Sequence, residues 1–268
     1  GALGAHQEGC IKDREDFEKY PWDEIPERYF QRYAPYIRNF AETCQAGMKA
    51  MIENNIKADL IVTDPPYLIK GIHGGKSQLG LSVQRSQQEL VDCKITDGIS
   101  NDMLNLMWDV VKKPNFYFFC NRAQIQQYLD FFVTRNKCKW EMLIWHKTNV
   151  PPLYHNTYLC DKEYILHFRK GTICNPATYE KAKTVFTSGT NVKDKKLHGH
   201  PTVKPLNIVS TLIENSSAVG DLILDPFMGS GTTAVAAKEL NRNYIGFEIN
   251  ESFFNSSQKR INDLIRRN

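Results

Sequence analysis

Asp64-Pro65-Pro66-Tyr67 places a carboxylate, two stiff peptide units and an aromatic ring in four consecutive residues. That combination suits chemistry on a planar amino group. The lone pair of an exocyclic amine on a base is delocalised into the ring. The nitrogen is therefore a poor nucleophile until both its N–H hydrogens meet acceptors and it becomes more tetrahedral. Asp64 supplies one acceptor, and the carbonyl of Pro65 supplies a second on a backbone that the prolines hold. Tyr67 supplies a flat face for a base drawn out of its stack. Taken alone, the segment reads equally well as a turn.

Gly229-Ser230-Gly231-Thr232-Thr233-Ala234 is a G-x-G-x-x-A sequence that follows an apolar run and opens a helical one. Glu248 ends the next apolar run. Glycines in such a loop let the backbone approach a ligand, and a distal acid can bond ribose hydroxyls, which is the geometry of a nucleotide-binding β-α-β unit. No Gly-Lys-Ser/Thr follows the glycines, so a P-loop is excluded.

The elements that must position these residues follow from periodicity. Apolar, β-branched or aromatic runs predict strands near 36–40, 59–63, 115–120, 140–145, 163–168, 222–224 and 243–248. Helical spacing predicts helices near 41–54, 102–111, 122–134, 204–215 and 232–240, with a last helix carrying Phe254, Ile261, Leu264 and Ile265. Residues 68–99, rich in Gly, Ser and Gln, hold no apolar period and read as a long mobile loop beside the Asp-Pro-Pro-Tyr turn. Strands alternating with helices predict an open α/β sheet covered on both faces. Ligands in such sheets lie outside the carboxyl ends of strands. Both segments end strands, so neighbouring strands would bring them together. Residues 1–35, charged, aromatic and punctuated by Pro21, Pro26 and Pro35, read as a separate N-terminal arm ahead of a single domain, 36–268.

The 268 residues are 41% hydrophobic and 24% charged, an ordinary globular balance that excludes collagen and intrinsic disorder. No apolar stretch approaches a membrane span, and the N-terminus lacks a basic region followed by an apolar one. Seven cysteines without a C-x-x-C argue against a disulfide framework and for a reducing, cytoplasmic setting. His155, Cys160, His167 and Cys174 match no zinc-site spacing, so no metal is expected. The net charge of +4 permits a polyanionic partner without demanding one. Lysines cluster at Lys181, Lys183, Lys193, Lys195 and Lys196, and such a run alone is most often a solvated face.

Taken together, the blocks Asp59-Leu60-Ile61-Val62-Thr63-Asp64-Pro65-Pro66-Tyr67, Ile144-Trp145-His146-Lys147, Glu163-Tyr164-Ile165-Leu166, His200-Pro201-Thr202-Val203-Lys204-Pro205 and Leu224-Asp225-Pro226-Phe227-Met228-Gly229-Ser230-Gly231-Thr232-Thr233 resemble the bacterial and phage DNA amino-methyltransferases that use S-adenosylmethionine (SAM). The order resembles the permuted class, in which the Asp-Pro-Pro-Tyr half precedes the SAM half. The resemblance runs from about Tyr36 to Ile265. It implies the seven-stranded SAM-methyltransferase sheet in permuted order. It also implies methyl transfer to the N6 amino group of adenine in DNA, because a loop beginning with Asp resembles the adenine subset more than the cytosine-N4 subset. It implies that Asp64, Pro65, Pro66 and Tyr67 form the catalytic loop around a flipped base. Asp225, Phe227, Gly229, Ser230, Gly231 and Thr232 would line the methionine side of SAM, and Thr202 and Lys204 would hold its carboxylate. Glu248 would bind the ribose and Ile249 would flank the adenine. A short target-recognition insertion would span 169–199, giving the five lysines phosphate to face. A homodimer and a cognate restriction nuclease are the partners such a protein would have. The chain departs from the resemblance at Asn39-Phe40-Ala41-Glu42, where the family often carries a Gly-Asp pair.

Other readings remain open on the residues alone. Cytosine N4, RNA or a protein amide also present planar amino groups. An NAD-dependent oxidoreductase could use the glycine loop but would give no role to Asp64-Pro65-Pro66-Tyr67. A DNA-binding relative without turnover would not need Asp64.

Overall fold

The chain divides into two units, Gly1–Asn39 and Phe40–Asn268. The computed structural model describes residues 43–69, 81, 84–85, 88, 91, 96–152, 156, 158–190 and 202–265. The expected N-terminal arm and the strand expected at 36–40 lie outside the described residues.

The second unit is built on a seven-stranded sheet. The strands are β1 (Leu60–Thr63), β2 (Asn115–Cys120), β3 (Lys139–Lys147), β4 (Lys162–Arg169), β5 (Val185–Ser188), β6 (Leu222–Asp225) and β7 (Asn243–Gly246). They lie in the order β5-β3-β4-β2-β1-β6-β7. β4 alone runs antiparallel to its neighbours, pairing Phe118 with Leu166 on one side and Leu143 with Ile165 on the other. The remaining pairs are parallel. Among the described residues, the helices α1 (Thr43–Glu53), α2 (Asn101–Asp109), α3 (Ile125–Tyr128), α4 (Leu206–Ser216), α5 (Thr232–Glu239) and α6 (Glu251–Ile265) accompany the sheet.

Burial follows sheet position. Every residue of β1 and β2 is buried, as expected of central strands covered on both faces. β5, at an edge, alternates exposed and half-buried residues. Aromatic residues fill the core beside β2. Phe132 stacks on Phe168 at 4.5 Å between centroids and lies 4.9 Å from Phe116, while Phe118 stacks on Tyr128 at 4.9 Å. Such pairs add to the area they bury. Ser100 caps α2 by accepting the N–H of Met103 at 3.2 Å, with Asp102 in the first turn favoured by the helix dipole.

Three elements differ from the sequence reading. Within 68–99, Leu81, Gln84, Arg85, Gln88 and Val91 are helical, and Leu68 bridges Asp97. Gln and Ser occupy many positions there, leaving too few apolar residues for a visible period. Residues 122–134 hold only one short α-turn, α3, which passes into a π-helical stretch, Leu129–Arg135. Val185–Ser188, inside the expected insertion 169–199, is the outer strand of the sheet. With solvent on one side and two apolar residues in four, it carries no strand signal of its own.

Candidate active site

β1 and β6 lie side by side and parallel, so Asp64 and Asp225 emerge at the same edge of the sheet. A buried hydrogen bond ties the two ends together: Thr63 Oγ1 donates to Asp225 Oδ1 at 2.7 Å. The same oxygen accepts the Phe227 N–H at 3.1 Å, which turns the chain into the glycine loop. Burial pushes the Asp225 carboxyl up to about 6, against the pull of its Thr233, Thr63 and Phe227 donors.

The glycine loop needs its glycines. Gly229 and Gly231 both adopt positive φ, 51° and 75°. A Cβ on Gly231 would also stand 2.9 Å from the Cβ of Ser257 on α6. From the same helix, Arg260 donates to the Ser230 carbonyl at 3.2 Å and to Thr232 Oγ1 at 2.9 Å. Glu248, just past β7, accepts the Gly229 N–H at 2.8 Å through one oxygen and the Asn250 N–H at 2.8 Å through the other. Burial raises its carboxyl despite these donors. Ile249 beside it is well exposed.

On the β1 side, Gln124 holds the Asp-Pro-Pro-Tyr loop by donating to the Pro66 carbonyl at 2.9 Å, and Asn121 donates to the Leu68 carbonyl at 3.0 Å. Asp64 Oδ2 pairs with the ammonium of Lys204. Asp64 Oδ1 is buried and has no hydrogen-bond partner among the described residues. Lys204 Nζ also pairs with Glu163 Oε1 at 2.9 Å. Glu163 accepts the Tyr67 hydroxyl at 2.7 Å and, through Oε2, the Lys147 ammonium at 2.5 Å. Lys204 Nζ lies 5.5 Å from the Tyr67 ring centroid and 5.4 Å from that of Phe119. Two carboxylates and two ammonium groups thus share one largely buried site, which keeps its net charge near zero and makes the burial tolerable.

The charges respond to each other. Burial works against ionised Glu163, yet Lys204 and Lys147 outweigh it and draw the carboxyl down to about 2. Burial also opposes the Lys204 ammonium, but Asp64 and Glu163 overcome it and raise its pKa. For Asp64 burial is the largest influence and raises the carboxyl, with the Glu163 charge adding and Lys204 opposing.

Asp64, Pro65, Pro66 and Tyr67 therefore share one sheet edge with Asp225, Phe227, the loop from Gly229 to Thr232, and Glu248. Lys204, expected at the cofactor's carboxylate, has its ammonium between Asp64 and Glu163. Thr202 lies two residues before it. Lys181 is paired with Glu214 at 2.6 Å and Lys183 with Glu180 at 2.7 Å. Lys193, Lys195 and Lys196 lie outside the described residues. Among the described residues no group of three or more His, Cys, Asp or Glu is arranged to hold a metal, and no helix is long and apolar enough to cross a membrane. The sequence reading gave no role to Glu163, Lys147, Gln124 or Arg260. Glu163 was a usable signal, a carboxylate at the head of the run Tyr164-Ile165-Leu166, because a buried charge needs a partner.

Residues 58–259 match a family described as DNA methylase, of the N6 and N4 amino-methyltransferase type. The chain belongs to this family. It is 36% identical over 259 residues to the Type II methyltransferase M2.MboI of Moraxella bovis, covering 88% of this chain and 91% of that relative. It is 26% identical over 239 residues to the Type II methyltransferase M.HinfI of Haemophilus influenzae, covering 78% of this chain but only 64% of that relative's length. The crystal structure of an M1.HpyAVI–SAM complex superposes with a TM-score of 0.60 at 26% identity, covering 82% of this chain and 96% of that one. The family's methyl donor is SAM, and its acceptor is an exocyclic amine of a DNA base. This site fits that donor. It offers a buried acid at the end of β6 for a cationic group, an acid at the end of β7 for hydroxyls, and between them a loop whose glycines leave no side chain in the way.

Proposed function

We propose that this protein transfers a methyl group from SAM to the N6 amino group of adenine in DNA. The observation that carries the reading is the pair of situations at Asp64. One oxygen is anchored by Lys204, and the other is buried without a hydrogen-bond partner among the described residues, beside the stiff Pro65 peptide at the strand end adjoining the glycine loop. A buried unpaired acceptor is costly unless a ligand uses it. An amino N–H fits it.

When bound, SAM supplies an electrophilic methyl on a sulfonium. Asp64 Oδ1 accepts one amino hydrogen and the Pro65 carbonyl accepts the other, so the nitrogen lone pair is released from the ring toward that methyl. The carboxylate is a stronger acceptor than a hydroxyl and favours the charge that builds on nitrogen. The proton can leave after the nitrogen has become cationic, so no prior deprotonation is needed. Tyr67 offers its ring to the flipped base, its hydroxyl being held by Glu163.

The preference for adenine rests on Asp at the first position of the loop. The strand order, with the catalytic strand β1 early in the chain and the glycine-loop strand β6 late, supports the permuted arrangement. Lys193, Lys195 and Lys196 serve as phosphate contacts in this reading. Lys181 and Lys183 would exchange Glu214 and Glu180 for phosphate. Transfer of labelled methyl from SAM to oligonucleotides that contain adenine but no cytosine, or cytosine but no adenine, tests the base assignment. Label is expected only in the first set. Label confined to the second would replace adenine with cytosine and keep the reaction class.

A further inference from the structure

Asp64 does not stand alone. Its Oδ2 meets Lys204, whose ammonium also meets Glu163, and Glu163 in turn holds Tyr67 and Lys147. The four partners come from four places in the chain: the turn after β1, the end of β3, the start of β4 and the segment before α4. Nothing about the sheet requires charges here. Inner positions of the same strands, Leu143, Trp145, Ile165 and Leu166, are buried and apolar, and a buried ion pair is seldom more stabilising than well-packed apolar residues. The arrangement instead fixes two groups that methyl transfer needs, the acid and the aromatic ring.

We propose that Glu163 and Lys204 are positioning residues for the reaction. Lys204 anchors Asp64 by Oδ2 and sustains its charge, so that Oδ1 is left to accept the amino hydrogen. Glu163 fixes the Lys204 ammonium and the Tyr67 hydroxyl at once, setting the acid and the base-stacking ring in register. Lys147 balances the second carboxylate. This rests on the reading of Asp64 as the acceptor of the base's amino hydrogen.

The proposal has an electrostatic signature that a merely structural role lacks. The titratable groups facing Asp64 are Lys204, Glu163 on β4, Tyr67 on its own loop, Cys120 on β2, Tyr128 on α3 and Asp225 on β6. Burial pushes the Cys120 thiol and the Tyr67 and Tyr128 phenols up, so these three stay neutral through roughly pH 5 to 9. Lys204 and Glu163 are then the charges in the network, acting on Asp64 in opposite directions, while Asp225, which ionises at about 6, adds a repulsion common to the wild type and both variants.

Two variants of the full chain test this. Glu163→Gln keeps an acceptor for Tyr67 but removes the charge that opposes ionisation of Asp64. The acid limb of kcat/KM should move to lower pH, with kcat down on the order of tenfold and SAM affinity held within about threefold. Lys204→Gln removes the charge that favours ionisation, so the acid limb should move to higher pH. Each shift decides on its own should the other variant fail to fold. Titration of the Asp64 carboxyl carbon by NMR reads the same two shifts without turnover. It therefore decides the network even if DNA adenine proves not to be the substrate, a failure that the wild-type protein alone would reveal. Shifts in the same direction in both variants, or none, would overturn the proposal.

Discussion

Asp64, half-buried, and Asp225, buried, are acids at neighbouring strand ends that differ in their partners. Asp64 has a lysine on one oxygen and, among the described residues, no hydrogen-bond partner on the other. Its replacement by Ala should remove turnover and leave SAM binding nearly intact, because the acceptor acts on the charge that develops in the transition state. Full activity in that variant, measured beside SAM affinity by calorimetry, would end the assignment. Asp225 has neutral donors, and its folded value of about 6 lies above the ordinary 3.8. Its ionised form therefore opposes folding, an effect absent at pH below 3.8 and growing as pH rises through 6. A bound cationic group reverses the balance, since it prefers the carboxylate. SAM affinity should consequently fall as pH is lowered through about 6, and Asp225→Asn should bind more weakly with no such step. A wild-type affinity flat from pH 5 to 8 would remove Asp225 from the cofactor's cationic side.

The strand-turn-helix from β6 to α5 depends on Gly231, which needs both a positive φ and an absent Cβ. Gly231→Ala should cost about 1 to 3 kcal/mol in chemical unfolding, from backbone strain and the contact with Ser257. Gly231→Asp should in addition abolish the thermal shift given by SAM; retention of the full shift would refute the loop's role. This element was legible in the sequence because its signal is local: an apolar run, glycines at fixed spacing, then a helical period. β1 with Asp64 was legible for the same reason, ending abruptly at two prolines. β5 was not, because an edge strand is recognised by the neighbour it pairs with, Ile144 to Lys147, and not by its own four residues. Nor was the joining of Glu163 to Tyr67, which adjacent strands β4 and β2 and a loop from β1 bring together across ninety-six positions.

For the molecule as a whole, the sheet order explains why residues far apart in sequence act together. β1 neighbours β6, so the early Asp-Pro-Pro-Tyr turn and the late glycine loop meet at one edge. The lysines are a separate matter, spread over a segment whose first two are already ion-paired. Replacing Lys193, Lys195 and Lys196 by Gln should weaken DNA binding and flatten its salt dependence by roughly one logarithmic unit per lost phosphate contact. SAM affinity should be unchanged. An unaltered salt slope would return the run to a solvated face.

The central claim, methyl transfer to the adenine amino group by a carboxylate acceptor, is tested most directly by mass analysis of nucleosides. DNA treated with the protein and SAM, beside DNA treated with the Asp64→Ala variant, is digested and its nucleosides are measured. N6-methyladenine is expected with the wild-type protein and none with the variant. N4-methylcytosine alone would contradict the base assignment, and equal N6-methyladenine from both proteins would contradict the mechanism.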